Sequence, residues 1–259
     1  MKLWVLMENT ACCDIFAAEH GLSLYLETGT RRILFDMGQS AAFADNADKL
    51  GVDLAAVDTA ILSHGHYDHG GGISAFLSCN STALIYLSPY AFEPHFGKGG
   101  KNIGLDPALE SCGRLVFTEE RDLGSGLSLH SCNGAPRHWP IDPSGLYTLE
   151  NGKPVSEDFR HEQYLLICEQ GRRILISGCS HKGIANIVRW FRPDVLVGGF
   201  HLRDIPPEDP ALAEIAAALL ESPTVYYTGH CTGQAQFDRL KVLMGDRLQA
   251  INAGMVLEI

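Results

Sequence analysis

Ser63-His64-Gly65-His66-Tyr67-Asp68-His69-Gly70-Gly71-Gly72 is the stretch that decides how this chain is read. Three histidines and one carboxylate fall within six consecutive residues, directly after the apolar run Thr59-Ala60-Ile61-Leu62. A short apolar run of this kind reads as a buried strand. The three glycines then read as a turn that opens a helix at Ile73 to Leu77. In an extended segment residues i and i+2 face the same way, so His64 and His66 are placed to grip one cation. Asp68 and His69 lie where the chain turns and can face a second. Imidazole and carboxylate are the donors of a zinc-type catalytic site that keeps a position open for water.

The rest of the sequence sets the bounds on that reading. A chain of 259 residues and 28.2 kDa is long enough for a sizeable core within a single domain spanning 1–259. A net charge of −11 argues against a nucleic-acid backbone as partner, because that needs clustered Lys and Arg. It leaves room for a local basic pocket and a small anionic metabolite. The eight cysteines are scattered, with Cys12 and Cys13 adjacent, and do not resemble a disulfide framework. The opening apolar run Leu3 to Met7 is too short for a signal peptide. Nothing approaches the ~20 apolar residues of a membrane span. The expectation is a reduced, cytoplasmic protein that neither spans nor binds a membrane.

Working outward, the chain shows an internal repeat. Leu22 to Thr28, a turn at Gly29-Thr30, and Arg31 to Asp36 predict strand, turn, strand; Tyr164 to Glu169, Gln170-Gly171 and Arg172 to Ser177 predict the same, down to a shared Arg-Arg-Ile-Leu. Gly178-Cys179-Ser180-His181 falls where the first half has Gly38-Gln39-Ser40. A helix over Ile184 to Phe191 and a strand over Val195 to Phe200 ending in His201 mirror the helix and strand that end in His64. Two such halves would deliver their loops to one shared edge. Pro89 to Pro107 reads as a long irregular loop carrying His95, Lys98 and Lys101, and long loops in compact domains are commonly functional. It is read as a lid or substrate loop, with Lys101 a substrate contact; Walker spacing is absent. Asn133 to Val155 reads as turn-dense and peripheral.

His64-x-His66-x-Asp68-His69 after an apolar strand resembles the signature of the metallo-β-lactamase superfamily. Further stretches resemble one branch of it: Glu19-His20-Gly21-Leu22-Ser23, Ile33 to Ser40, Gly134 to Arg137, His161-Glu-Gln163, Gly178 to His181, Gly198 to His201 and Gly229 to Gly233. That branch includes archaeal methanopterin-pathway synthase-like proteins and bacterial metal-dependent hydrolases. The resemblance implies an α+β fold, a four-layer αββα sandwich of two pseudo-symmetric halves. It implies two cations, zinc first and manganese or iron as alternatives. His64 and His66 match ligands of the first cation, and Asp68, His69 and His230 match ligands of the second. The place of the usual bridging Asp holds Cys179, read as a buried thiol or, less readily, a thiolate ligand. His181 stands two residues on and is expected to be a ligand. His161 falls where the first cation's third histidine belongs and is read as a ligand or a group behind one.

The remaining candidates follow from position. His201 is expected to look into the same pocket, donating a proton to a leaving group or holding a phosphate. Asp36 is expected to orient a ligand imidazole or cap a helix. Lys182 and Arg137 are candidate contacts for an anionic substrate. The favoured activity is a binuclear metal-dependent hydrolase acting on a phosphate ester, with Asp68 holding the nucleophile and accepting its proton. A synthase-like transfer and a non-catalytic metabolite sensor are the alternatives.

Overall fold

The computed structural model describes residues 1–259. Its first sheet has seven strands: β1 (Lys2–Met7), β2 (Ser23–Glu27), β3 (Arg32–Phe35), β4 (Thr59–Ile61), β5 (Leu84–Leu87) and β6 (Leu115–Phe117), with β16 (Val256–Glu258) closing the β1 edge. The second sheet also has seven: β7 (Glu120–Gly124), β8 (Leu127–His130), β11 (Tyr164–Glu169), β12 (Arg172–Ile176), β13 (Val195–Val197), β14 (Val225–Thr228) and β15 (Leu248–Ala250). A hairpin, β9 (Tyr147–Glu150) and β10 (Lys153–Ser156), stands apart from both.

The repeat seen in the sequence is the architecture. The pair β2–β3 is antiparallel with Leu24 opposite Phe35, and β11–β12 is antiparallel with Leu165 opposite Ile176. Each pair continues into parallel strands, β3–β4–β5–β6 in one sheet and β12–β13–β14–β15 in the other. Side chains alternate across each strand, so Leu3 and Val5 face the second sheet whereas Trp4 and Leu6 face helices. Between the sheets pack Leu24, Leu26, Ile33 and Phe35 from one side and Leu165, Ile167, Ile174 and Ile176 from the other. Outside the first sheet lie α1 (Ala42–Lys49) and α3 (Ile73–Cys79), which follows the one-turn α2 (Tyr67–Gly70). Outside the second lie α4 (Ile184–Phe191), α5 (Pro210–Leu220) and α6 (Gln234–Met244). The expected four-layer αββα sandwich is therefore the fold.

Three local expectations change. The expected helix does begin at Ile73, as α3, but Asp68 and His69, expected in a turn, lie in the separate one-turn α2. The following glycines serve close approach: a Cβ on Gly72 would stand 2.0 Å from the Met37 carbonyl. The strand expected to run to Phe200 stops at Val197, where Gly198 turns to φ +148. The segment read as peripheral contains the β9–β10 hairpin, which bridges Phe96 of the long loop through Tyr147 and stacks on it with rings 5.1 Å apart. That hairpin holds the loop against the site.

Candidate metal centre

Parallel strands leave their loops at a common edge, and both halves contribute. From the first sheet come Asp36 after β3, then His64, His66, Asp68 and His69 after β4. From the second come Cys179 and His181 after β12, His201 after β13 and His230 after β14. Of these, all but His201 are buried; His201 is partly so.

The hydrogen bonds fix which nitrogen each imidazole offers. Asp36 accepts from the Ser63 backbone N–H and from Ser63 Oγ, both at 2.7 Å. It also accepts from His69 Nδ1 at 2.7 Å, which leaves His69 Nε2 to face the site. Ser63 Oγ, having given its proton to Asp36, accepts from His64 Nδ1 at 2.8 Å, so His64 Nε2 is bare. Asn9 Oδ1 accepts from His230 Nδ1 at 2.9 Å, which turns His230 Nε2 to the site. Such partners behind a ligand set its orientation and basicity. Asp36 thus orients His69 and does not cap a helix.

The imidazole nitrogens that face the site converge in two groups. His64 Nε2 and His181 Nε2 are 3.3 Å apart, with His66 and His181 rings 5.0 Å apart. His69 Nε2 and His230 Nε2 are 3.1 Å apart, and Asp68 Oδ2 stands 3.3 Å from His230 Nε2 and 3.7 Å from His69 Nε2. Donors 2.0–2.1 Å from a tetrahedral cation stand about 3.4 Å from one another. A shared proton or a cation must lie between nitrogens held this close, and the match to tetrahedral donor spacing means that the set fits a metal. Cys179 Sγ lies 3.2 Å from His69 Nε2 and within 4.8 Å of the His64 and His181 donors as well as that of His230. It occupies the place between the groups.

The electrostatics agree. Burial, reinforced by the neighbouring imidazoles, holds His64, His66 and His181 well below the usual histidine range, so their lone pairs are free. Burial opposes charge on His69, yet Asp36 and Asp68 pull it up to about 9. Asp68 is held well below the carboxylate range despite burial, by His69, His20 and His230. Burial pushes the Cys179 thiol well up; only a positive charge beside it would draw off its proton.

His161 is brought next to His66, rings 5.0 Å apart, but its Nδ1 accepts the Gly65 N–H at 2.9 Å and its Nε2 faces Glu157 at 3.4 Å. It stands behind the donors. The site opens into a cavity of about 250 Å³ lined by His20, His66, Tyr67, Asp68, Lys98, Lys101, Cys179, His181, His201, Arg203, Asp204 and His230, among others. Lys101 reaches the mouth, its Nζ 3.2 Å from Tyr67 Oη. Arg137 and Lys182 are not brought there. Arg137 is exposed and donates to the Asp158 carbonyl at 3.1 Å. Lys182 is wholly buried, and its Nζ donates to Ser131 O, Asn133 Oδ1 and Glu162 O at 2.6, 2.8 and 2.9 Å. Burial draws its pKa down to about 8. With three donors committed to the fold it has none for a substrate.

Several contributors escaped the sequence reading. His20 Nε2 sits 3.2 Å from Asp68 Oδ2. Glu162 accepts from the backbone N–H of His181 at 2.7 Å and of Lys182 at 3.0 Å, which pins the loop that carries His181. Glu8 accepts from the His230 N–H. His95, Glu157, Arg203 and Cys231 complete the set. Of these His20, Glu162 and Cys231 lay in stretches that matched the family, and His95 in the long loop; Glu8, Glu157 and Arg203 are single residues that acquire a role from partners remote in sequence.

Comparison with known proteins agrees with this geometry. The family model described as the metallo-beta-lactamase superfamily matches residues 18–148. A 7,8-dihydropterin-6-methyl-4-(beta-D-ribofuranosyl)-aminobenzene-5'-phosphate synthase from Methanocaldococcus jannaschii is 29% identical over 100% of this chain and 96% of its own. The crystal structure of Tm1679, a metal-dependent hydrolase of the beta-lactamase superfamily, superposes with a TM-score of 0.86 at 29% identity, covering 100% of this chain and 99% of that one. Zn(2+)-bound PqqB from Methylobacterium extorquens shares the fold at a TM-score of 0.55 and 12% identity, with 100% of each chain covered.

Proposed function

The chain belongs to the metallo-beta-lactamase superfamily, and from that premise we propose that it is a binuclear metal-dependent hydrolase acting on a small phosphate ester. The observation that carries the reading is the pair of converging donor groups, His64–His181 and His69–His230, with Cys179 between them. His64, His66 and His181 would hold one cation, Asp68, His69 and His230 the other, and Cys179 would be shared as a thiolate in place of a carboxylate. Zinc suits this His/Asp/Cys donor set; manganese and iron accept most of it, and thiolate favours the softer ion. Cations bound there would supply an activated water and polarise a phosphoryl or carbonyl oxygen.

The chain's own residues supply the rest. Asp68 Oδ2, ionised and faced by His20 and His230, is positioned to orient a nucleophile and take its proton. His201 lies 4.2 Å, ring to ring, from His181 and has an unpartnered Nδ1. Burial works to lower its pKa, but Cys231 beside it raises it on balance, which suits a proton donor to a leaving group. Arg203 and Lys101 stand on the cavity wall, whereas Lys98 is neutralised by Asp204 at 2.8 Å. Arg203 and Lys101 are therefore the cations placed to receive an anionic substrate. The excess negative charge elsewhere argues for a metabolite and against nucleic acid. No helix is long and apolar enough to cross a membrane, and we place the activity in the cytoplasm.

Arg203→Ala and Lys101→Ala are each expected to raise KM for a phosphate ester about tenfold, one charge-assisted hydrogen bond, and to move kcat less. Steady-state kinetics on a phosphodiester and phosphomonoester panel with zinc or manganese checks this. Unchanged KM in both variants removes the anionic-substrate reading. The synthase-like alternative is favoured by one observation, the 29% identity to a synthase across the whole chain. Offered an arylamine phosphate with a pterin pyrophosphate, a synthase yields a joined product and pyrophosphate; a hydrolase yields phosphate or alcohol. A chain that turns over neither but retains one small molecule is a sensor.

A further inference from the structure

Of the eight cysteines, Cys179 and Cys231 are the two that are buried. Cys179 stands between the two donor groups; Cys231 follows His230 and is assigned to neither cation. Both line the cavity, so a small oxidant that enters reaches either sulfur. Their sulfurs lie within 4.8 Å of each other, and Cys231 Sγ donates to the carbonyl of Cys179 itself at 3.4 Å. Cys12 and Cys13 also bring sulfurs within 3.9 Å, but they are exposed and adjacent in sequence. A bond between those two would close a small ring around a distorted peptide bond.

The backbone on both sides imposes the approach of Cys231 to Cys179. Gly199 N–H donates to the Gly178 carbonyl at 2.8 Å, which ties the loop after β12 to the loop after β13. Phe200 N–H donates to Thr232 Oγ1 at 3.0 Å and His201 N–H to Cys231 Sγ at 3.2 Å, which tie the loop after β14 to the same segment. Cys231 Sγ fills the hollow left by an absent side chain. A Cβ on Gly199 would stand 2.3 Å from that sulfur and 3.6 Å from Cys179 Cα. Glycine at 199 is therefore what lets the two cysteines meet. Holding two reacting groups together in this way makes their joining effectively unimolecular.

We propose that Cys179 and Cys231 form a reversible disulfide when the site is free of metal, and that this bond shuts off metal loading. The oxidant is a hydroperoxide. The Cys231 sulfur attacks one oxygen of hydrogen peroxide, the O–O bond breaks, and water leaves with the thiol proton, giving a sulfenic acid. The Cys179 sulfur then attacks the Cys231 sulfur. The S–S bond forms, the S–O bond breaks, and the hydroxyl leaves as water with the Cys179 proton. Two thiols have lost two electrons and one peroxide has become two waters. Cys179 is the resolving sulfur, so a cation bound to it blocks the second step. Once joined, Cys179 is no longer available as a thiolate, the form that ligates metal. A loaded centre is thus protected, and an empty one stays closed until a thiol reductant opens it. The effect on metal loading rests on the binuclear reading above; the disulfide does not.

The test is mass-spectrometric peptide mapping, without reduction, of full-length metal-free protein treated with hydrogen peroxide. A peptide pair joined through Cys179 and Cys231 is expected, lighter by two hydrogens and separated again by dithiothreitol. The oxidised chain is expected to bind its second zinc at least about 100-fold more weakly, beyond the usual cost of disturbing a residue behind a ligand, and to recover with dithiothreitol. Zinc added first is expected to slow crosslinking at least about tenfold, because a metal-bound sulfur is not free to attack. Cys231→Ser is expected to give no crosslink. Cys231 recovered as a sulfenic or sulfinic acid with no bond to Cys179, or left untouched while the exposed cysteines oxidise, overturns the proposal whether or not the variant folds. So does a crosslink that forms as fast in protein holding two zinc ions. A reduced chain that takes up no zinc refutes the binuclear reading, and the peptide map still decides the disulfide.

Discussion

His230→Ala is expected to leave the protein folded, with one cation fewer and no measurable turnover. His230 Nε2 is one of three donors at 3.1 to 3.7 Å spacing with His69 and Asp68, and no neighbouring side chain can replace it on the β14 side. His20, the nearest imidazole at 4.8 Å ring to ring, is already turned to Asp68. The loss in affinity should exceed the about 10–100-fold that follows from disturbing a residue behind a ligand. Folding survives because the backbone N–H of residue 230 still reaches Glu8 and the cavity side is open to water. The left-handed backbone there, φ 50, is already borne by a non-glycine residue, so alanine adds no new strain. Metal content after gel filtration, far-ultraviolet circular dichroism and turnover on the phosphate-ester panel check it together. His66→Ala should remove the other cation. Full metal content in both variants would show that the ligands have been misassigned.

Lys182→Met is expected to cost stability and leave KM unchanged, the reverse of what its place beside His181 suggests in the sequence. Its ammonium satisfies Ser131 O, Asn133 Oδ1 and Glu162 O inside the fold. Methionine fills similar volume but leaves those acceptors buried without a donor. Removing one member of a buried charged network costs about 3–5 kcal/mol, which at 2–4 °C per kcal/mol for a chain of this size is a fall in Tm of about 6–20 °C. Thermal unfolding of the metal-loaded protein measures this. An unchanged Tm with a raised KM would return Lys182 to the substrate.

Why the placement of His64 was legible and that of Lys182 was not is a matter of range. The motif His64 to His69 is legible because strand periodicity and a turn place four donors within six residues, with no information needed from elsewhere. The repeat is legible for the same reason: Arg172 to Ser177 copies Arg31 to Asp36 locally, and similar sequences form similar strand pairs. From the repeat followed the position of His201 and His181 at the shared edge. Burial of Lys182 depends on Ser131 and Glu162, which β8 and β11 bring beneath it, and no local pattern encodes that. Glu157 and His95 are likewise unremarkable singly; their meeting requires the hairpin to dock on the long loop through Tyr147 and Phe96. Arg137 shows the converse, a basic residue in a matching stretch that the turn after β8 carries away to Asp158.

The most direct test is anomalous diffraction from crystals grown with zinc. Two peaks are expected, one ringed by His64, His66 and His181 and one by Asp68, His69 and His230, with Cys179 Sγ reaching both. Imidazoles of residues 64, 69 and 230 left bridged by nothing in zinc-supplemented crystals would contradict it.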